Sequence, residues 1–152
     1  MGQDLTIGYD EYIIRFKELI KSLGLNSSIQ REYVLKVLFN NEDHLNAEQI
    51  LSKVRDEHKV SIGMTTVYKI LTLLEELKVV KSISIEGSDT KVYELDLYAH
   101  HDHIVCLKCS KIIEFVNEKI EELQECIAKE NNFILQSHSM ILYGLCQNCK
   151  TK

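Results

Sequence analysis

Proline and tryptophan are both absent from the 152 residues. Without proline, nothing of that kind forces a helix or strand to end early, so long uninterrupted elements are open to the chain. No apolar run approaches the ~18 residues of a membrane-spanning helix. The opening Met1-Gly2-Gln3-Asp4-Leu5-Thr6 has neither a basic stretch nor an apolar one, so no signal peptide is expected. Its loose match to a myristoylation pattern reads as chance, because no basic cluster follows to give a second membrane signal. Positive charge is also short: 18 Lys and Arg stand against 23 Asp and Glu, a net charge of −5. That balance argues against indiscriminate polyanion binding, and any nucleic-acid contact must rest on a local patch. The 45% hydrophobic and 27% charged residues exclude intrinsic disorder as the main state. The length allows one domain or two small ones.

The first part reads as helical. Residues 11–24 place Ile13, Phe16, Leu19, Ile20 and Leu23 on one helical face, and Gly24 is a C-terminal stop. Ser27-x-x-Gln30 has the form of a capping box, with Ile29, Val34, Val37 and Leu38 following. Asn46-x-x-Gln49 opens a third helix with Ile50, Leu51 and Val54 inward. Gly63 starts a fourth, whose Val67, Ile70, Leu71, Leu74 and Leu77 keep the helical period. The period then changes to that of a hairpin: strands at 79–85 and 90–95 joined by Glu86-Gly87-Ser88-Asp89. Helices followed by a hairpin predict an α+β chain whose N-terminal domain, residues 1–95, is a winged helix-turn-helix. Residues 96–100 read as a hinge, and 101–152 as a small α/β unit. That unit has short strands at 103–107 and 111–116 and a helix opened by Asn117 with Ile120, Leu123 and Ile127 inward. A last strand is expected through 133–145.

Residues 1–88 hold 11 basic and 13 acidic residues, so the first domain is not basic as a whole. Two windows, 19–31 and 58–74, nevertheless contain no Asp or Glu. They cover the start of the second helix and the first turns of the fourth, which a helix-turn-helix presents to DNA. Carboxylates there would repel phosphate. On the fourth helix, Thr65, Tyr68, Lys69 and Thr72 share the face opposite the apolar stripe. Their hydroxyls, ring and single cation suit a groove, although a solvated polar face has the same composition.

Cys106-x-x-Cys109 and Cys146-x-x-Cys149 are the strongest signal. Two such pairs can complete a closed, tetrahedral, all-thiolate zinc site that contributes to folding rather than to turnover. Reduced buried thiols or a redox pair are the competing readings. The fifth cysteine, Cys126, reads as a small core residue. Just before the first pair stands His100-His101-Asp102-His103. In an extended strand successive side chains point to opposite faces. His100 and Asp102 would then face one way and His101 and His103 the other, so one tetrapeptide could feed two metal sites; a solvated turn is the alternative. His44, Glu94, Glu114, Glu121 and His138 are candidates to complete them, although each taken singly reads as a surface residue. His58 is read as surface.

Together these residues resemble the ferric uptake regulator family of bacterial metal-responsive repressors, over roughly residues 10–150. The resemblance is carried by Gly63-Met64-Thr65-Thr66-Val67-Tyr68-Lys69-Ile70-Leu71, by the run from His100 through Cys109, by Lys111-Ile112-Ile113-Glu114-Phe115, and by Ser137-His138-Ser139 with Tyr143-Gly144-Leu145-Cys146. It implies three metal sites. Cys106, Cys109, Cys146 and Cys149 would hold structural Zn2+. His44, Glu94, His101, His103 and Glu114 would hold a regulatory ion, Fe2+ in the cell with Zn2+ or Mn2+ as substitutes. His100, Asp102, Glu121 and His138 would form an additional site. It also implies a cytoplasmic homodimer that binds double-stranded operator DNA and no membrane, with Arg31, Thr65, Thr66, Tyr68 and Lys69 as the DNA-contacting candidates, and with the second domain as the dimerisation domain.

Three positions depart from the family pattern. Ser110 replaces a glycine, and Ser adopts positive φ less readily. Lys69 replaces an arginine and gives up its planar fork. Asn26 stands where a lysine is frequent. A peroxide-responsive relative is disfavoured by Glu114, where an aspartate is usual. A zinc-responsive one is disfavoured by the lack of a regulatory-site cysteine. A manganese-responsive regulator is the remaining alternative within the family. No H-x-E or H-E-x-x-H motif supports a zinc enzyme.

Overall fold

A computed structural model describes residues 7–97 and 100–151. The Met1-Gly2 lipidation pattern and residues 98 and 99 of the expected hinge lie outside the described residues. The chain divides into two compact units, residues 1–84 with 88–98 and residues 85–87 with 99–152.

The first unit contains α1 (Tyr9–Ser22), α2 (Ile29–Asn40), β1 (Leu45–Asn46), α3 (Ala47–His58), α4 (Met64–Glu76), β2 (Val80–Ser84) and β3 (Lys91–Leu95). The strands form an antiparallel sheet in the order β1-β3-β2. The four-helix core and wing hairpin follow from the apolar spacing. Val34, Leu35, Ile50, Val54, Val67, Leu71 and Leu74 are fully buried. Capping sets the helix starts. Asn46 and Gln49 make a reciprocal box, the Gln49 N–H donating to Asn46 Oδ1 at 2.8 Å and the Asn46 N–H to Gln49 Oε1 at 2.9 Å. The start of α2 sits one residue later than the Ser27 pattern predicts: Ser28 is the cap and accepts from the Arg31 N–H at 3.4 Å. Gly24, at φ +69°, closes α1, with the Leu25 N–H returning to the Ile20 carbonyl at 3.1 Å. Between α3 and α4, the Arg55 guanidinium donates twice to the Ile62 carbonyl, at 3.0 and 2.6 Å. That bond fixes the turn leading into α4.

Leu19, Leu23 and Ile29 are exposed, although the pattern places them inward. Tyr12 and Leu35 take the buried positions instead. The two-residue β1 is too short to leave a period in the sequence.

The second unit contains β4 (Asp102–Cys106), β5 (Ile112–Phe115), α5 (Glu118–Glu130), β6 (Ile141–Gly144) and α6 (Gln147–Lys150). Its sheet has the order β5-β4-β6, with β4 antiparallel to β5 and parallel to β6. Asn117 caps α5 as expected. Leu123 and Ile127 are 62% and 59% exposed, not inward, and Cys126 is exposed rather than a core residue. The expected strand at 133–145 is paired only over Ile141–Gly144; Phe133 and Ile134 are exposed and precede it.

Leu71 lies wholly inside the first unit, on the same helix as the expected DNA-facing side chains. Leu71→Ala is expected to lower its stability by about 2–5 kcal/mol, measured by urea unfolding. A loss within experimental error would mean the core is not packed around α4.

Candidate metal centres and DNA-facing surface

The four paired cysteines converge, their sulfurs lying within 4.8 Å of one another. The sheet explains how. Cys106 ends β4 opposite Gly144 of β6, so Cys146, two residues on, returns to it. The Cys146 N–H donates to Cys106 Sγ at 3.4 Å, and Cys109 and Cys146 sulfurs are 3.7 Å apart. Two tight turns supply the other thiols. The Ser110 N–H donates to the Cys106 carbonyl at 2.9 Å, with Ser110 itself at φ +60°, and the Cys149 N–H donates to the Cys146 carbonyl at 2.9 Å. The left-handed Ser110 is the strained turn that the glycine replacement predicts.

The thiols are electrostatically unlike. Backbone N–H groups, that of Cys146 first and then that of Cys109, draw the Cys106 thiol down to about 6. Cys149 is pushed up to about 12, first by its side-chain hydrogen bond with Cys146 and then by burial. Four sulfurs this close hold protons among themselves unless a cation neutralises them. The arrangement fits a divalent ion that prefers tetrahedral sulfur.

The His-rich tetrapeptide sorts as an extended strand requires. His100, Asp102, Glu121 and His138 offer donor atoms within 4.8 Å of one another. His138 Nε2 is 3.3 Å from Glu121 Oε1 and 3.7 Å from Asp102 Oδ1, and Asp102 is almost completely buried. Both Asp102 oxygens, Glu121 Oε1 and His138 Nε2 are buried without a hydrogen-bond partner. On the other side, the rings of His101 and His103 lie 4.8 Å apart. Glu114 is the register partner of His103 across β4 and β5, and its Oε1 is 3.7 Å from His101 Nε2. In the first unit, His44 Nε2 and Glu94 Oε2 are 2.9 Å apart and both are little exposed. β1 carries the chain past Glu94's neighbour, Tyr93 pairing with Leu45, which brings His44 to that carboxylate.

On α4, Thr65, Tyr68, Lys69 and Thr72 are exposed opposite buried Val67, Ile70, Leu71 and Leu74, whereas Thr66 is half-buried beside them. The first turn of α4 carries no acidic residue and its Gly63 cap makes no side-chain bond, which leaves backbone N–H groups at the helix start open to an anion. Arg31 is half-buried and its guanidinium donates to the Asn26 carbonyl at 2.6 Å. His58 departs from expectation: its ring stacks on Tyr33 at 4.1 Å and its Nε2 is buried without a hydrogen-bond partner. Sequence reading also passes over Gln124, three residues beyond Glu121 on α5; that spacing is the available signal.

The sequence model of the Ferric uptake regulator family matches residues 22–143. The chain is 43% identical over 148 residues to the ferric uptake regulation protein of Campylobacter jejuni, covering 97% of this chain and 94% of that relative. It superposes on the ferric uptake regulator of Helicobacter pylori with a TM-score of 0.84 and 34% identity over 95% of both chains; that structure reveals three functional metal binding sites. A Francisella tularensis ferric uptake regulator solved with iron matches at a TM-score of 0.73 and 30% identity, over 84% of this chain and 96% of that one.

With the Cys106 thiol drawn down and the Cys149 thiol pushed up, the cluster retains protons at neutral pH that ion uptake expels. Protons compete with the ion for sulfur, so affinity rises with pH. Zn2+ titration of the metal-free chain between about pH 6 and 9, in buffers of differing ionisation heat, is expected to show both; a pH-independent affinity would contradict the thiol arrangement.

Proposed function

The chain belongs to the ferric uptake regulator family, whose members are metal-responsive transcription regulators and not enzymes, and on that premise we propose that it is an Fe2+-dependent repressor of iron-uptake genes. It acts in the cytoplasm as a homodimer on AT-rich palindromic operators. Residues 1–95 read the DNA, 96–100 act as a hinge, and 101–152 dimerise and bind metal.

The observation that carries this reading is the His44–Glu94 pair, an imidazole and a carboxylate held 2.9 Å apart inside the unit that bears α4. A winged helix needs no such pair for its core. A divalent ion taken by it, together with His101, His103 and Glu114, would tie the DNA-reading unit to the second. Two carboxylates match the charge of the ion. Imidazole and carboxylate without thiolate suit Fe2+ or Mn2+, and Zn2+ can substitute. The thiol cluster holds Zn2+ and fixes the end of β4 and β6. The set of His100, Asp102, Glu121 and His138 holds a further ion.

The dimer is supported by uncovered apolar side chains in the second unit: Val116, Leu123, Ile127, Phe133 and Ile134 are each more than half exposed. A second copy would cover them and pair the extended segment ahead of β6. Binding the regulatory ion favours the dimer whose two α4 helices match the half-site spacing. A preference of ~3 kcal/mol for that arrangement changes occupancy about a hundredfold. Thr65, Thr66, Tyr68 and Lys69 face the groove, and Arg31 meets the phosphates beside it.

Under this reading His101→Ala abolishes Fe2+- or Mn2+-dependent retardation of an AT-rich palindromic duplex and leaves the circular dichroism spectrum intact. Retardation unaffected by the change would exclude the regulatory site. Cys106→Ser is expected to unfold or monomerise the chain, and a variant that sediments and melts like the parent would exclude structural zinc.

A further inference from the structure

Buried polar atoms without a hydrogen-bond partner are rare in folded proteins, and each calls for a cause. Among the described residues of the second unit they are Asp102 Oδ1 and Oδ2, Glu121 Oε1, His138 Nε2 and Gln124 Oε1. The first four belong to Asp102, Glu121 and His138 of the set that His100 completes, and a single cation taking one atom from each would give each of these side chains a partner. Gln124 Oε1 is the fifth, and that set does not account for it.

Gln124 stands three residues after Glu121 on α5, so the two side chains are neighbours on one helix face. That face is the half-buried one: Ile120, Glu121, Gln124 and Ala128 are partly covered, whereas residues 122, 123 and 125–127 are exposed. The amide oxygen is buried and meets no donor, and the helical spacing puts it on the side of α5 that carries Glu121. An amide carbonyl is a hard, neutral oxygen donor of the kind that binds Mn2+ and its neighbours. Asp102 and Glu121 already match the charge of a divalent ion. A further neutral oxygen raises the coordination number and leaves the charge alone. Two imidazoles and two carboxylates by themselves make a four-donor shell that suits tetrahedral Zn2+.

We propose that Gln124 supplies a fifth, neutral oxygen ligand to the ion held by His100, Asp102, Glu121 and His138, and that it tilts this site toward ions of five or six coordination, Mn2+ or Fe2+, against Zn2+. The inference rests on reading those four residues as a metal site.

The test uses the full chain with its thiol cluster loaded with zinc, in a background of His101→Ala and Glu114→Ala that disables the other imidazole–carboxylate set. There, Gln124→Leu raises the Kd for Mn2+ by about 10–100-fold, leaves the Kd for added Zn2+ nearly unchanged, and gives bound Co2+ the intense visible bands of a four-coordinate ion. Gln124→Glu, which keeps an oxygen in place, restores Mn2+ binding. A Gln124→Leu chain that loses both ions alike, or neither, or that leaves the Co2+ spectrum unchanged, overturns the proposal. His138→Ala in the same background separates the two claims: if it binds Mn2+ as its parent does, the four-residue site itself is wrong, whatever Gln124 does.

Discussion

The pleat of one five-residue strand governs the chemistry of the second unit. Along β4 and the two residues before it, alternate side chains must point to opposite faces of the sheet. The run His100-His101-Asp102-His103 is thereby divided, His100 and Asp102 to the α5 side with Glu121 and His138, His101 and His103 to the side of Glu114. The same strand ends at Cys106, whose register with Gly144 recruits Cys146 and Cys149. Three donor sets of different chemistry thus hang on one register. A slip of one residue would exchange the first two sets and dissolve the third.

The donor sets also differ in what they ask of the fold. The thiol cluster is built from tight turns and a strand end, and its sulfurs hold protons among themselves in the absence of a cation, so metal and local structure are one equilibrium. The Asp102 set gathers buried carboxylate oxygens and imidazoles 3.3–3.7 Å apart that make no hydrogen bond, an arrangement that a cation would relieve. The His44–Glu94 pair is different again: the imidazole and the carboxylate lie 2.9 Å apart and each gives the other a polar partner.

Much of this is legible in the residues, and the exceptions have physical reasons. Helix starts are readable where the capping residue has one choice, as at Asn46 and Gln49, and shift by a residue where two serines compete, as at Ser27 and Ser28. The α4 stripe of Val67, Ile70, Leu71 and Leu74 is readable because it packs within its own unit. The stripe of Leu123 and Ile127 has the same period yet stays open, since periodicity reports an apolar face and not what covers it. Cys126 and the segment from Phe133 depart from expectation for the same reason. His58 escapes a sequence reading because its burial comes from stacking on Tyr33, a contact distant in sequence. Gln124 escapes it because an amide is not a usual ligand type, and only its lack of a partner marks it.

The central proposal, which neither unit by itself establishes, is that one exchangeable ion takes ligands from both. Counting Mn2+ bound per zinc-loaded chain by equilibrium dialysis, for His44→Ala, His103→Ala and the double variant, tests it directly. A shared ion predicts that each single change and the double change all remove the same one Mn2+. Separate ions would instead cost the double variant two, and a His44→Ala chain that binds the full complement would contradict the account outright.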